Sequence, residues 1–226
     1  MRFTVPGLSA MIILALVGPA SAQIAPSPAE AAAYTGLHAA SVAGDAGPAR
    51  AASGNLELLE ARDSHGRTAL HVAAYYREHD VMRALVRAGA DANGLDGQDY
   101  DIVTIAAVAD DLETLKVALE IGCSAGNVTS PWKGTALIAA AHLGHEEVVR
   151  ELIKAGAPLD HVNTLHWTAL IESVVLGDGG KRHQDTARYL VEAGANAALA
   201  DNEGKTPLDL ANERGYEAMA AIIAAR

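Results

Sequence analysis

The side chains in this sequence with the clearest potential for chemistry are its nine histidines. Imidazole nitrogens ligate zinc, and His142 with His145 has the i, i+3 spacing that could hold one edge of a metal site. His161 and His166 form a second close pair. A zinc site needs three or four converging ligands, and the spacing brings no third ligand to either pair. The sequence therefore predicts no bound metal and no cofactor.

The sequence also lacks the common signatures of catalysis. It contains no HExxH, no CxxC, no GxSxG and no phosphate loop ending in GKS or GKT. Residues 177–180 are glycine-rich, but they follow a predicted helix instead of a strand, so a flexible bulge is expected. Cys123 is the single cysteine, which predicts a small buried filler, with pairing to another chain as the alternative. We therefore predict that the protein is not an enzyme.

A repeat of about 33 residues organises the chain that carries these side chains. The motifs TGLH, TALH, GTAL, WTAL and KTPL recur, each near the start of one unit. Equivalent positions in five successive units are Leu70, Val103, Leu137, Leu170 and Leu208, which are separated by 33, 34, 33 and 38 residues. One such unit cannot bury its apolar face alone, so the units must stack.

With this period and these motifs, the sequence resembles the ankyrin-repeat proteins. The resemblance implies an all-α solenoid of about six helix-turn-helix repeats with short β-hairpin fingers over residues 31–226. In that family the TxLH position occupied by His38 and His71 is a structural hydrogen-bonding site. An insertion at residues 177–183 lengthens the fifth unit. The family as a whole implies non-catalytic protein binding, although a fold does not fix a function.

The first residues lie outside the repeats. Residues 1–22 carry Arg2, an apolar run and the sequence Ala-Ser-Ala at 20–22, which resembles a secretory signal cleaved before Gln23. An uncleaved anchor is the alternative, but the apolar run of about 10 residues is short of the ~20 that span a bilayer. We expect export to the periplasm of a Gram-negative bacterium. Residues 23–30, rich in proline and alanine, predict an extended tether.

The chain is acidic, with 17 Lys and Arg residues against 28 Asp and Glu residues and a net charge of −11. Nucleic-acid binding is disfavoured, because phosphate contacts need clustered Lys and Arg. The charge either favours a basic partner surface or only maintains solubility. A local cluster of aspartates also has two explanations. It forms a patch that binds a basic segment, or its members stabilise turns, and the second explanation is favoured. The cluster contains Asp91, Asp96, Asp99, Asp101, Asp110 and Asp111.

The aromatic residues indicate where a partner protein would bind. In the family that the sequence resembles, finger tips and the ends of the first helices build a concave face. Five of the eight Tyr and Trp residues after position 22 fall at such places, and His142-Leu143 and Leu176 extend the same stripe. Tyr and Trp are enriched at interface hot spots, but local packing of fingers against helices is the rival explanation. The predicted partner-binding residues are Tyr75, Tyr76, Tyr100, Trp132, His142, Leu143, Trp167 and Leu176.

These observations predict a non-catalytic protein-interaction scaffold in the periplasm that binds a protein partner through an aromatic-rich concave face. An inhibitor or immunity-type protein, whose acidic surface blocks a basic toxin or enzyme, is the first alternative. A histidine-based metal-binding protein is the second and the less favoured one. No nucleic-acid partner is expected, and no membrane span is expected after signal cleavage.

Overall fold

The computed structural model describes residues 23–225, and its regular structure is helical. A short helix α1 (Pro28–Ala33) precedes six helical units. The units in chain order are α2 (Gly36–Ala43) with α3 (Gly47–Ala51) and α4 (Leu56–Leu59), α5 (Ala69–Tyr75) with α6 (His79–Ala88), α7 (Ile102–Val108) with α8 (Leu112–Glu120), α9 (Ala136–Leu143) with α10 (Glu146–Lys154), α11 (Ala169–Val175) with α12 (Lys181–Ala193), and α13 (Pro207–Glu213) with α14 (Glu217–Ala224).

The units stack in sequence order, so that each first helix packs on the next first helix and each second helix on the next second helix. Leu70, Leu137 and Leu170, the reference positions of the repeat, are fully buried between successive units. The resulting core is continuous from the first unit to the last. This arrangement confirms the all-α solenoid of six units that the 33-residue spacing predicts. Among the described residues, every helix is too short or too polar to cross a lipid bilayer.

The helix ends follow the repeat. Thr135, Thr168 and Thr206 begin first helices, and each side chain accepts a hydrogen bond from a backbone N–H in the first turn. Gly144 ends α9 in the left-handed conformation, with φ of 66°, which an L side chain rarely adopts. These caps explain why Thr and Gly recur at fixed places.

The histidine of the TxLH motif makes contacts between units. His71 is buried, and burial lowers its pKa, so its imidazole is neutral. Its Nδ1 lies 3.2 Å from the Thr68 backbone nitrogen and its Nε2 lies 3.2 Å from the Tyr100 carbonyl oxygen in the next unit. His38 repeats the contact with the Arg67 carbonyl oxygen at 2.9 Å. Both histidines are therefore structural, as the resemblance implied.

The fingers are turns held by side chains, and the predicted β-hairpins are reduced to one antiparallel bridge, Thr129 with Gly134, among residues 23–225. Asp63 shows the pattern, because its Oδ1 accepts hydrogen bonds from the backbone N–H groups of residues 65 and 67 at 2.8 and 2.9 Å. Asp96, Asn163 and Asp201 make the same pair of bonds in later units. An Asp or Asn side chain thus satisfies the finger backbone that strand pairing would otherwise satisfy.

The insertion in the fifth unit is shorter than expected. Residues 177–180 form the turn, and α12 begins at Lys181, so the last three residues of the predicted loop are helical. A Cβ on Gly177 would lie 2.1 Å from the Ser173 carbonyl oxygen, which requires glycine there. Cys123 is buried, its thiol donates to the Ala92 carbonyl oxygen at 3.0 Å, and burial raises its pKa to about 12. It is the buried filler that the sequence predicts.

The segment after position 22 is ordered against the first units, where an extended tether was expected. Ser27 caps α1 through a reciprocal pair of bonds with Glu30. The fully buried guanidinium of Arg67 donates to Glu30 at 2.7 Å, to Asp63 at 2.6 Å and to the Ile24 carbonyl oxygen at 2.8 Å. Burial would raise the pKa of Asp63, but hydrogen bonds from Tyr34 and Arg67 lower it to about 2. The predicted signal peptide, residues 1–22, lies outside the described residues.

Because Arg67 neutralises two carboxylates in a buried position, its loss leaves their charges without compensation. We expect Arg67→Ala to lower the free energy of unfolding by about 3 kcal/mol or more. Arg150→Ala is the matched control, because Arg150 pairs with Glu147 on an exposed helix surface, and it should leave stability nearly unchanged. Urea unfolding followed by circular dichroism measures both variants. Equal small losses would show that the buried network does not hold the N-terminal segment.

Candidate partner-binding groove

A cavity of about 450 Å³ lies where the ends of four successive first helices meet the fingers. Apolar and aromatic side chains form the larger part of its wall. We call this cavity and its rim the groove. Its lining residues include Gln23, Tyr75, Tyr100, Thr104, Ile105, Val108, Trp132, Ile138, His142, Leu143, Asn163, Leu165, Glu172 and Leu176.

Six of the eight predicted partner-binding residues line the groove. They come from four units and are Tyr75, Tyr100, Trp132, His142, Leu143 and Leu176. Leu143 is 40% exposed, and Trp132, His142 and Leu176 are partly exposed on the same rim. Tyr76 is partly exposed outside the lining set, so its part in binding stays a prediction.

Tyr100 and Trp167 do not face outward, and that expectation is wrong. Each side chain is only 6% exposed, and Trp167 packs within the hydrophobic core. The reason lies in the finger turn, because the backbone of each residue is bonded both ways to Asp96 or Asn163, which fixes the turn against the helices. For Trp167 the rival explanation, packing of fingers against helices, is correct. Tyr100 is buried too but still contributes to the groove wall.

Glu172 is the functional candidate that sequence reasoning missed. It lies on α11, is 4% exposed and lines the groove. Its Oε1 accepts a hydrogen bond from Asn163 Nδ2 at 2.9 Å, whereas its Oε2 has no hydrogen-bond partner. Burial raises the pKa of Glu172 to about 7, although the bond from Asn163 acts in the opposite direction. The carboxyl group therefore titrates near neutral pH.

The closest basic group does not neutralise Glu172. His142 Nδ1 lies 3.5 Å from Glu172 Oε2, which is within ion-pair range but does not form a hydrogen bond. Burial lowers the pKa of His142, and the neighbouring His183 and His145 lower it further. The imidazole is therefore neutral near pH 7 and leaves the carboxylate without a counter-charge.

A signal for Glu172 was present in the repeat. Two residues after the reference position, the other units carry Val72, Ile105, Ala139 and Leu210, all apolar. Among these five units, only the fifth has a residue with a carboxyl group at this position. A comparison of equivalent positions, in place of a search for catalytic motifs, would have identified it.

Two further polar atoms in the groove lack hydrogen bonds. Among residues 23–225, four buried side-chain nitrogen or oxygen atoms have no hydrogen-bond partner, and three of them belong to groove residues. They are Gln23 Nε2, Tyr75 Oη and Glu172 Oε2. Buried polar groups are normally hydrogen-bonded, so this concentration suggests atoms that a bound molecule would satisfy.

The other histidines that invited a metal hypothesis make contacts between units. His145 Nδ1 lies 2.8 Å from the Ala107 carbonyl oxygen, and His161 Nε2 lies 2.7 Å from the Lys133 carbonyl oxygen. Glu30, Asp63 and His65 also come close enough to share an ion. The buried Arg67 guanidinium donates to both of these carboxylates, so it already supplies the positive charge at that place.

Most residues of the acidic cluster have structural tasks. Asp96 and Asp91 bond the backbone of their own turns, and Asp101 and Asp111 cap α7 and α8. Asp99 pairs with Lys133 at 3.1 Å, and Asp110 pairs with Arg182 at 2.7 Å. These contacts support turn chemistry over a free acidic patch.

The comparisons with known proteins agree on the type of repeat. The family model described as ankyrin repeats in three copies matches residues 103–197, and the model of a single ankyrin repeat matches residues 65–97. The ankyrin repeat protein YahD of Escherichia coli K12 is 37% identical over 164 residues, which cover 72% of this chain and 81% of YahD.

Two solved structures give the same result. An ankyrin repeat domain from Acinetobacter baumannii has a TM-score of 0.74 and 38% identity, covering 83% of this chain and 95% of its own. The ankyrin repeat protein EF0377 has a TM-score of 0.76 and 30% identity, covering 85% of this chain and 98% of its own.

The titration of Glu172 predicts a pH-dependent stability. The unfolded carboxyl loses its proton near 4.5, whereas the folded one keeps it to about 7, so the folded state binds more protons between these values. The free energy of unfolding should therefore fall as pH rises through this window. Glu172→Gln keeps the shape and removes the charge, so its stability relative to wild type should be higher at pH 8 than at pH 5 by on the order of 2 kcal/mol.

Urea unfolding of both proteins at the two pH values provides the measurement. Burial lowers the pKa of His142, which lies 3.5 Å from Glu172 Oε2, so the comparison is repeated in a His142→Gln background. An equal stability difference at pH 5 and pH 8 in both backgrounds would contradict the raised pKa.

Proposed function

The chain belongs to the ankyrin-repeat family, and from this premise we propose that it is a non-catalytic interaction scaffold whose groove binds a partner protein. Ankyrin repeats generally mediate protein–protein interaction. The observation that carries the proposal is the gathering of Trp132 and Leu143 from the fourth unit and Tyr75 from the second unit on one cavity. Each of these side chains is at least partly exposed, whereas most apolar residues of the repeat are buried in the core.

The groove is large enough to receive part of a protein ligand. Its volume of about 450 Å³ lies within the range of about 300–1,000 Å³ found for pockets that bury small molecules. A cavity of this size accepts one or two side chains of a partner, while the rim contacts the neighbouring surface. Aromatic residues at the centre of an interface, surrounded by residues that exclude water, contribute most of the binding energy in typical complexes.

The place of action is part of the same proposal. The charge of Arg2, the apolar run and the small residues at positions 20–22 support export to the periplasm. A periplasmic partner would then meet a mature chain that begins at Gln23 and carries the repeats over residues 31–226.

Changes on the groove rim should weaken capture of the partner without unfolding the protein. Trp132→Ala is expected to weaken binding about thirtyfold, which corresponds to about 2 kcal/mol for the loss of a hot-spot aromatic. Leu143→Gln should have a smaller effect in the same direction. The matched control is Leu58→Gln, because Leu58 is 51% exposed on α4, outside the groove.

The tagged proteins are used to capture partners from periplasmic extract, and mass spectrometry identifies and quantifies what is bound. Circular dichroism should be the same for all three variants. If the groove variants and the Leu58 control retain the same partner in the same amount, the partner does not use this groove.

The cleavage site gives a separate prediction. The protein recovered from periplasmic extract should begin at Gln23, because signal peptidases read small residues at the spacing found in Ala20-Ser21-Ala22. Intact-mass measurement and N-terminal sequencing test it. A chain that retains residue 1 and fractionates with the cytoplasm would rule out export by this segment.

A further inference from the structure

Glu172 places one unpartnered carboxylate oxygen on the wall of a largely apolar groove. Its side chain is 96% buried by solvent accessibility, since only 4% is exposed, and Oε2 has no hydrogen bond. A buried charge without a partner is costly, and the equivalent positions of the other units carry apolar residues. Oε1 holds Asn163 of the finger turn, whereas the unpartnered Oε2 lowers stability and is a candidate contact for a ligand.

The missing counter-charge must come from outside the described chain. Among residues 23–225, no lysine or arginine lines the groove. The basic side chains near it are already paired, Lys133 with Asp99 at 3.1 Å and Arg182 with Glu146 at 2.6 Å. His142 is the one basic group in contact with Glu172, and its lowered pKa leaves it neutral.

The geometry of the carboxyl selects among cations. Asn163 already occupies Oε1, which leaves a single free oxygen. A guanidinium binds best through two parallel bonds to both carboxylate oxygens, whereas an ammonium needs only one.

The remaining walls suit the stem of a lysine. Ile138 and Leu176, from the fourth and fifth units, are apolar and match the four methylenes that precede the ammonium. Trp132, whose carbonyl oxygen accepts a hydrogen bond from Thr164 beside Asn163, supplies an aromatic ring, and the face of such a ring attracts a cation. The acidic net charge of −11 attracts a basic segment to the domain as a whole.

We propose that the groove receives a lysine side chain of the partner protein, whose ammonium group bonds to Glu172 Oε2. The assignment rests on the proposed protein-binding function and names the residue that anchors the partner. The lysine stem lies along the apolar wall beside Glu172.

The test uses the purified full-length protein and short blocked peptides as probes. The probes are acetyl-Leu-Lys-Leu-amide, the same peptide with norleucine, arginine or Nε-acetyl-lysine at the central position, and free n-hexylamine. Binding is followed by the NMR shift of the Trp132 indole N–H, assigned by its loss in Trp132→Phe. The lysine peptide should bind about tenfold or more tightly than the norleucine peptide, since only it completes a charge-assisted bond.

Glu172→Gln is the matched variant, because it keeps the side-chain shape and an oxygen for Asn163. It should weaken the lysine peptide about tenfold or more and leave the norleucine peptide nearly unaffected. The variant should also be at least as stable as wild type, so that a loss of binding does not report unfolding.

Four outcomes overturn the proposal. If the lysine and norleucine peptides bind equally, or if Glu172→Gln weakens both equally, the ammonium–carboxylate bond does not contribute to binding. The groove would then bind a protein through its apolar wall alone. Arginine binding as tightly as lysine would contradict the choice of cation. Tighter binding of n-hexylamine than of the lysine peptide would assign the site to a free amine. If none of the probes binds, the lysine site is ruled out. The proposed protein-binding function is then tested separately by the capture experiment with the rim variants.

Discussion

The structure depends on one constraint, which is that a pair of short helices cannot bury its apolar face unless another pair lies beside it. Every regular feature of residues 23–225 follows from the need to place the next pair at the same distance and angle. The buried leucines of the first helices supply the contact, and an Asp or Asn in four of the finger turns fixes the chain between pairs. The imidazole of His71 then bonds the carbonyl oxygen of the following unit and sets the register.

The groove is a consequence of this stacking. Because the core positions of each unit are taken by contacts with its neighbours, side chains at the ends of the first helices lie beside the stack instead of within it. Leu143 occupies such a place, Trp132 lies on the finger turn before the same helix, and both line one cavity with Tyr75. Glu172 lies on the same cavity from a core position of its unit, which is why it is buried and yet faces the groove. Its cost to stability is tolerated because the leucines and alanines around it provide the packing.

The sequence predicted the features of the fold that depend on the spacing of the repeat. It predicted less well the features that depend on the direction in which a side chain points. Six units, their threonine caps and their glycine ends follow from spacing alone. The inward turn of Tyr100 and Trp167 does not, since it depends on the hydrogen bonds of the finger backbone. The order of residues 23–34 depends on Arg67, which lies far along the chain from Glu30, and composition carries no information about that contact. Six of the eight residues predicted by their position in the unit line the groove, whereas Glu172 was missed because a single carboxyl forms no motif.

The groove is lined by four units, whereas most other contacts in the stack join a unit only to the next one. Contacts within the solenoid are concentrated between successive units, so an opening at one end can spread one unit at a time. Tyr75 and Leu176, which line the same cavity, belong to the second and the fifth unit. An occupant of the groove therefore acts as a brace across four units, and its binding energy opposes their separation as a block. Occupancy would convert a chain of nearest-neighbour contacts into a body that opens all at once.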